Sequence, residues 1–93
     1  MTLEIVSPES ALFKGDVTSV TLPGVDGSFQ LLNKHAAIVS ILQKGEIKIA
    51  ATKFEFTKDN EAKFRKIDSQ TYALPINSGT IEMNKNKCIV LVD

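Results

Sequence analysis

The chain has 93 residues, with 11 basic and 11 acidic side chains and one cysteine. This length allows a single domain with a modest core, and the balanced charge excludes the cationic surface that a general nucleic-acid binder needs. The cysteine, Cys88, has no second cysteine with which to form an internal disulfide, which is typical of a reducing compartment and predicts a cytoplasmic location.

Apolar residues recur at every second position along most of the chain, which indicates half-buried strands rather than helices. Turn signals separate these segments: "SPES", "KGD", "PGVDG", "LNKH", "KGE", "TKDNE", "NSG" and "NKNK". The alternating apolar pairs, in chain order, are Leu3 and Ile5, Ile47 and Ile49, Phe54 and Phe56, and Ile81 and Met83. The pattern predicts one all-β domain over residues 1–93, a sandwich or a barrel of short strands.

Two segments are apolar on both faces. In "AAIVSIL", Ala37, Val39 and Ile41 would point one way, and Ile38 and Leu42 the other. "CIVLVD" near the end of the chain has the same pattern. Either another part of the chain covers the second apolar face, or that face is a protein interface.

Targeting and membrane segments are not predicted. The chain opens on "MTLEIVSP" without a basic stretch followed by an apolar one, so we expect no signal peptide. The longest apolar stretch, residues 36–42, is interrupted by Ser40 and is far shorter than the ~20 residues of a spanning helix.

The inventory of reactive side chains does not favour an enzyme. His35 and Cys88 are far apart in the sequence, and Tyr72 has no marked partner, so a catalytic pair would require a coincidence of folding. Structural zinc needs about four Cys or His ligands, and only these two residues are of that type. The glycines of "PGVDG" lack the lysine and the helix of a phosphate-binding loop, so Asp26-Gly27 predicts a tight turn with positive φ. No cofactor or metal is expected.

The order of motifs resembles a known family, the epsilon subunit of F-type ATP synthases, and specifically its N-terminal β-sandwich domain without the C-terminal helical hairpin. Residues 3–36 carry the first half of the resemblance: Val-Ser-Pro at 6–8, Phe-Lys-Gly at 13–15, and the Pro-Gly to His-Ala spacing at 23–36. "ILQKGEIKI" and "INSGTIEMNKNKCIVLVD" are similar to the family's second half.

Five positions depart from the family pattern. Gln30 replaces a glycine, Asn33 and Ala37 replace prolines, and Ser78 replaces one of two paired glycines. Pro75 lies inside a predicted strand, where it cannot donate to a ladder, so that strand must be an edge or must break there.

The resemblance implies a flattened antiparallel β-sandwich of roughly eight to ten short strands. It also implies a non-catalytic rotor subunit that couples rotation of the membrane c-ring to the gamma subunit and the catalytic sites of a bacterial, proton-translocating ATP synthase. Such a subunit is peripheral, at the cytoplasmic face of the inner membrane. The implied interface residues are Ser7, Ala36, Val39 and Leu42 toward gamma, and Asp26, Gly27, Ser28 and His35 toward the c-ring.

One further expectation concerns the C-terminal helices of this family. Longer members continue into two helices that restrain the motor and in some cases bind ATP, and we expect neither activity from a chain ending at Asp93.

The alternative function is a free-standing β-sandwich recognition module for a carbohydrate or an extracellular partner. Such a module favours exposed aromatic residues, whereas this chain has no tryptophan and one tyrosine.

Overall fold

Ten short strands and one helical turn make up the part of the chain that the structure, a computed structural model, describes: residues 1–33, 36–56 and 58–93. The strands are β1 (Thr2–Val6), β2 (Ala11–Asp16), β3 (Ser19–Gly24), β4 (Gly27–Leu32), β5 (Ile38–Leu42), β6 (Gly45–Ala50), β7 (Arg65–Asp68), β8 (Thr71–Ile76), β9 (Gly79–Asn84) and β10 (Lys87–Val92); the helical turn is α1 (Lys58–Glu61). The prediction of an all-β fold is confirmed.

The strands form one curled sheet that folds into two halves. The first half-sheet has the order β2-β1-β10-β9-β5, and the second has the order β4-β3-β6-β8-β7. The two are joined where Gly24 of β3 pairs with Leu42 of β5. All pairings are antiparallel except that of β1 with β10, which is parallel. The expectation of a wholly antiparallel sandwich therefore missed one strand pair, which joins the two ends of the chain.

The core lies between the half-sheets and is built from the inward side of each alternating strand. Every apolar pair predicted from the period of two is buried except Phe54 and Phe56, and no polar or charged side chain of the described residues is buried. The largest fully buried side chains are Leu3, Ile5, Val20, Leu22, Leu31, Leu42, Ile47, Ile49, Ile81, Met83, Cys88 and Val90.

The segment that follows β6 closes the open side of the sandwich. "KFEFT" was predicted as a strand, and this prediction is wrong: residues 51–56 form no strand. Phe54 and Phe56 are half-buried and pack against Phe13 of β2 and Tyr72 of β8, with ring centroids between 4.6 and 6.2 Å apart. Their two-residue spacing therefore places both rings over the gap between the edges of the two half-sheets.

Two turns and one proline behave as the sequence predicts. Lys85 and Asn86 both have positive φ, 50° and 64°, in the "NKNK" turn between β9 and β10. In the Val25-Asp26 turn between β3 and β4, Gly27 has a φ of 122°. Pro75 lies where β8 pairs only with β6, because the pairing of β8 with β7 stops at Ala73.

Candidate docking surface

The outer face of the first half-sheet carries exposed apolar side chains. Val39 is 77% exposed, Ile41 62% and Leu91 53%. Ile41 and Leu91 both lie opposite Thr80, so the three residues form one row across β5, β9 and β10. Half-buried Val6 pairs with Leu91 and extends this row. We call the four apolar side chains, Val6, Val39, Ile41 and Leu91, the apolar face.

Charged residues occupy the neighbouring cross-strand row. Val39 pairs with Glu82, which pairs with Ile89, and Ile89 pairs with Glu4. Glu4 lies 3.8 Å from the ammonium of Lys14 on β2. An exposed pair of this kind contributes little to stability. The charged residues of this row do give the apolar face a polar margin. An apolar centre with a polar margin is typical of a protein interface.

The outer face of the second half-sheet is polar apart from Leu32, which is 52% exposed at the end of β4 on the same side as Gln30. Gln30, Thr21 and Lys48 follow one another across β4, β3 and β6. Beside them, Arg65 donates to both carboxylate oxygens of Glu46, at 2.8 and 3.2 Å. This hydrogen bond lowers the pKa of Glu46 and raises the pKa of Arg65. The sandwich therefore has one apolar and one polar outer face.

The turn between β3 and β4 is fixed against the edge strand of the apolar face. The amide of Val25 donates to the carbonyl of Ile41 at 3.3 Å, and the amide of Gln43 donates to the carbonyl of Pro23 at 2.8 Å. Within the β3–β4 hairpin, Gly24 leaves no room for a side chain, because a Cβ there would lie 2.7 Å from the Gly27 carbonyl oxygen. Val25 itself is half exposed. The turn is thus linked to β5 by backbone hydrogen bonds.

Three of the four residues predicted to face gamma are at least partly exposed, and the fourth is buried. Val39 is exposed on β5, Ala36 is exposed just before it, and Ser7 is partly exposed in the turn after β1, where its amide donates to Ser10. Leu42 is only 1% exposed and lies in the core. Residues 39 and 42 are three apart, so a strand cannot present both on one face. Ile41 lies on the same side of β5 as Val39 and has the exposure that was expected of Leu42.

Of the residues predicted to face the c-ring, three lie together and one is outside the described residues. Asp26, Gly27 and Ser28 are exposed at the tip of the β3–β4 turn. His35 lies outside the described residues. Asn33, which precedes that segment, follows the opposite end of β4 and accepts a hydrogen bond from the amino group of Met1 at 2.5 Å.

Reactive chemistry is not a feature of the described residues. Burial raises the pKa of the Cys88 thiol to about 11, so this thiol is protonated at neutral pH and inaccessible. No group of three or more Cys, His, Asp or Glu side chains in residues 1–33, 36–56 and 58–93 could hold a metal ion. The same residues include no helix that is long and apolar enough to cross a membrane.

The fold and this surface define a class of β-sandwich with one apolar and one polar outer face. Residues 1–58 match the family described as the ATP synthase Delta/Epsilon chain, beta-sandwich domain. The chain belongs to this family, as its motifs predicted.

Curated relatives agree with this assignment. The ATP synthase epsilon chain of Sulfurovum sp. is 39% identical over 93 residues, which are 100% of this chain and 61% of that relative. The epsilon chain of Nitratiruptor sp. is 36% identical over 91 residues, 98% of this chain and 59% of the relative. The chain thus spans about three fifths of the length of these two relatives. For the epsilon chain of Chlorobium limicola the identity is 31%, and the match covers 98% of this chain and 86% of the relative.

A solved structure shares the fold. It is a chain of the cryo-EM structure of the Tetrahymena thermophila mitochondrial ATP synthase, central stalk and c-ring, with a TM-score of 0.67 and 21% identity. The likeness covers 99% of this chain and 62% of that one.

Proposed function

We propose that this chain is a non-catalytic subunit of the central stalk of a proton-translocating F-type ATP synthase, and that it couples rotation of the c-ring to the gamma subunit. In this proposal it lies at the cytoplasmic face of the inner membrane and is held there by its partners. The family membership and the names of the relatives support an origin in an ATP synthase.

The observation that carries the proposal is the backbone hydrogen bonding between the β3–β4 turn and the strand that carries the apolar face. A subunit that transmits torque needs two docking surfaces that cannot move independently. The turn offers Asp26 and Ser28 at its exposed tip, and its backbone is hydrogen-bonded to β5, which carries Val39 and Ile41. We assign the turn to the c-ring and the apolar face to gamma.

A mechanical role depends on docking surfaces rather than on reactive side chains. Docking requires only that apolar area be buried and that the bound surfaces be stiff. A stable interface buries about 1,200–2,000 Å² in total, and its affinity depends on a few central apolar side chains. Val39 and Ile41 are suited to that role because they are the most exposed large apolar residues of the described chain.

The gamma assignment is tested by binding to the purified cognate gamma subunit. Val39→Asp places a charge at the most exposed position of the apolar face and should weaken binding by at least about 30-fold, or about 2 kcal/mol. Ile67→Asp is the matched control, because Ile67 is an exposed isoleucine on β7, at the far edge of the second half-sheet. Both variants should keep the unfolding transition of the parent. Equal binding by Val39→Asp and the parent would refute the assignment.

The c-ring assignment is tested by cross-linking in the assembled complex. Ser28→Cys provides an exposed thiol for a photoreactive maleimide, and the buried Cys88 does not compete for the reagent. We expect a cross-linked product with the c subunit. Lys87→Cys is the control, since Lys87 is exposed at the start of β10, at the opposite end of the sandwich, and should give no such product. Labelling of c from both positions, or from neither, would contradict the assignment of the turn.

A further inference from the structure

The edge of β5 presents unpaired backbone groups. Ile41 accepts from Val25, and Gln43 donates to Pro23, so the odd-numbered residues of this segment direct their amide and carbonyl groups away from β9. Adjacent residues of a strand direct these groups to opposite sides. Val39 therefore directs its N–H and C=O to this side, and Ile41 directs its N–H there. Among the described residues none pairs with these three groups, because β3 meets β5 only at Gly24 and then pairs with β6.

This edge lacks the features by which proteins prevent edge pairing. Native edge strands carry charges, prolines or bulges. β2 has Lys14 and Asp16 and an irregular register with β1, and β7 is charged at three of four positions and has a register shift. β5, with the sequence IVSIL, has no charge, no proline and an unbroken register with β9.

The remaining edge strand, β4, differs from β5 in its surroundings. It is uncharged, but its outward neighbours on β3 and β6 are Thr21 and Lys48, on the polar face. β5 differs from β4 because its two exposed side chains, Val39 and Ile41, are both apolar, whereas β4 exposes Leu32 beside Ser28 and Gln30.

We propose that an extended segment of the stalk partner pairs with the free edge of β5 and adds one strand to the first half-sheet. This inference rests on the proposed docking of gamma on the apolar face. The main-chain hydrogen bonds would involve Val39 and the Ile41 amide. Every second side chain of the added strand would continue the apolar face, so the partner segment is one of about four or five residues with apolar side chains at alternate positions.

Hydrogen exchange tests the backbone pairing directly. The complex with gamma is placed in D₂O, quenched and dissociated, and exchange at single amides is compared with that of the free chain. The Val39 and Ile41 amides should be slowed at least about tenfold in the complex. The Ile38 and Ser40 amides, which face β9, serve as internal controls because they are already paired in the free chain. Unchanged exchange at Val39 and Ile41 in a stoichiometric complex would overturn the inference and leave the docking of gamma intact.

Two substitutions at position 39 separate backbone pairing from apolar burial. Val39→Pro removes an N–H that no ladder of the described residues uses, so the sandwich should still fold. Val39→Ala keeps that N–H and removes apolar area. We expect Val39→Pro to weaken gamma binding at least about tenfold, and more than Val39→Ala. Weaker binding by the alanine variant would overturn the inference, and failure of the parent chain to bind gamma would remove both this inference and the proposed function.

Discussion

The amide of Val25, in the turn between β3 and β4, donates to the carbonyl of Ile41 on β5 at 3.3 Å. This hydrogen bond and the one from Gln43 to Pro23 hold the turn against the edge strand that carries the most exposed apolar side chains of the described residues. A load applied at the exposed tip is therefore transmitted to β5 through backbone hydrogen bonds. Flexible side chains are not needed for this transmission.

Gly24 is the residue on which this geometry depends most directly. Gly24→Ala would place a Cβ 2.7 Å from the Gly27 carbonyl oxygen and 2.8 Å from the ring of Phe29, and the backbone atom cannot yield easily. We expect the free energy of unfolding to fall by about 1–3 kcal/mol. Gly15→Ala is the control, because its nearest contact would be an ordinary 3.5 Å to the Phe13 ring. Urea unfolding measures both, and equal losses would contradict the steric explanation.

The aromatic segment after β6 stabilises the fold by covering the open side of the sandwich. Phe56 contacts the rings of Phe13, Phe54, Phe64 and Tyr72. Phe56→Ala should lower the free energy of unfolding by about 2–3 kcal/mol, toward the low end for a phenylalanine because the ring is half-buried. The neighbouring exposed residue gives the control, and Glu55→Ala should change stability by less than about 0.5 kcal/mol. A loss below about 0.5 kcal/mol for Phe56→Ala would show that this cover is dispensable.

Burial of the Cys88 thiol makes stability depend on pH in the alkaline range. The pKa rises from 9.0 to about 11 in the folded chain, so the thiol stabilises the fold fully below pH 9. This contribution is lost as the pH rises from 9 to about 11, at about 1.4 kcal/mol per pH unit. Cys88→Ala should lack this slope, although below pH 9 it is less stable than the parent because of the cavity. Urea unfolding between pH 8 and about 11 measures the free energy of unfolding of both proteins. The same dependence on pH in both would contradict a contribution from the thiol.

The faces of the strands could be predicted from the sequence because period-two patterning fixes which side chains point inward. The alternation that places Ile47 and Ile49 in the core also places Val39 and Ile41 on the outside. The assignment of Leu42 to an interface ignored that rule, since it borrowed positions from a family resemblance. Ile41 and Leu91 could have been found by applying the alternation to every apolar position of "AAIVSIL" and "CIVLVD".

Other features depend on contacts between distant parts of the chain. Phe54 and Phe56 alternate like strand residues, but they pack their rings against Phe13 and Phe64 over the open side and form no strand. β7 was missed because its four residues are all exposed and have no apolar alternation. The parallel pairing of β1 with β10 has no local signal, because it joins segments at opposite ends of the sequence.

The central claim is that this chain couples c-ring rotation to the catalytic sites, and the most direct test is reconstitution of the cognate ATP synthase depleted of its epsilon subunit. ATP hydrolysis and proton pumping are followed in parallel while the chain is titrated in. We predict that the parent chain and Ile67→Asp restore protons pumped per ATP hydrolysed, and that Val39→Asp does not. A pumping ratio that is the same without the chain, with the parent and with Val39→Asp would contradict the account.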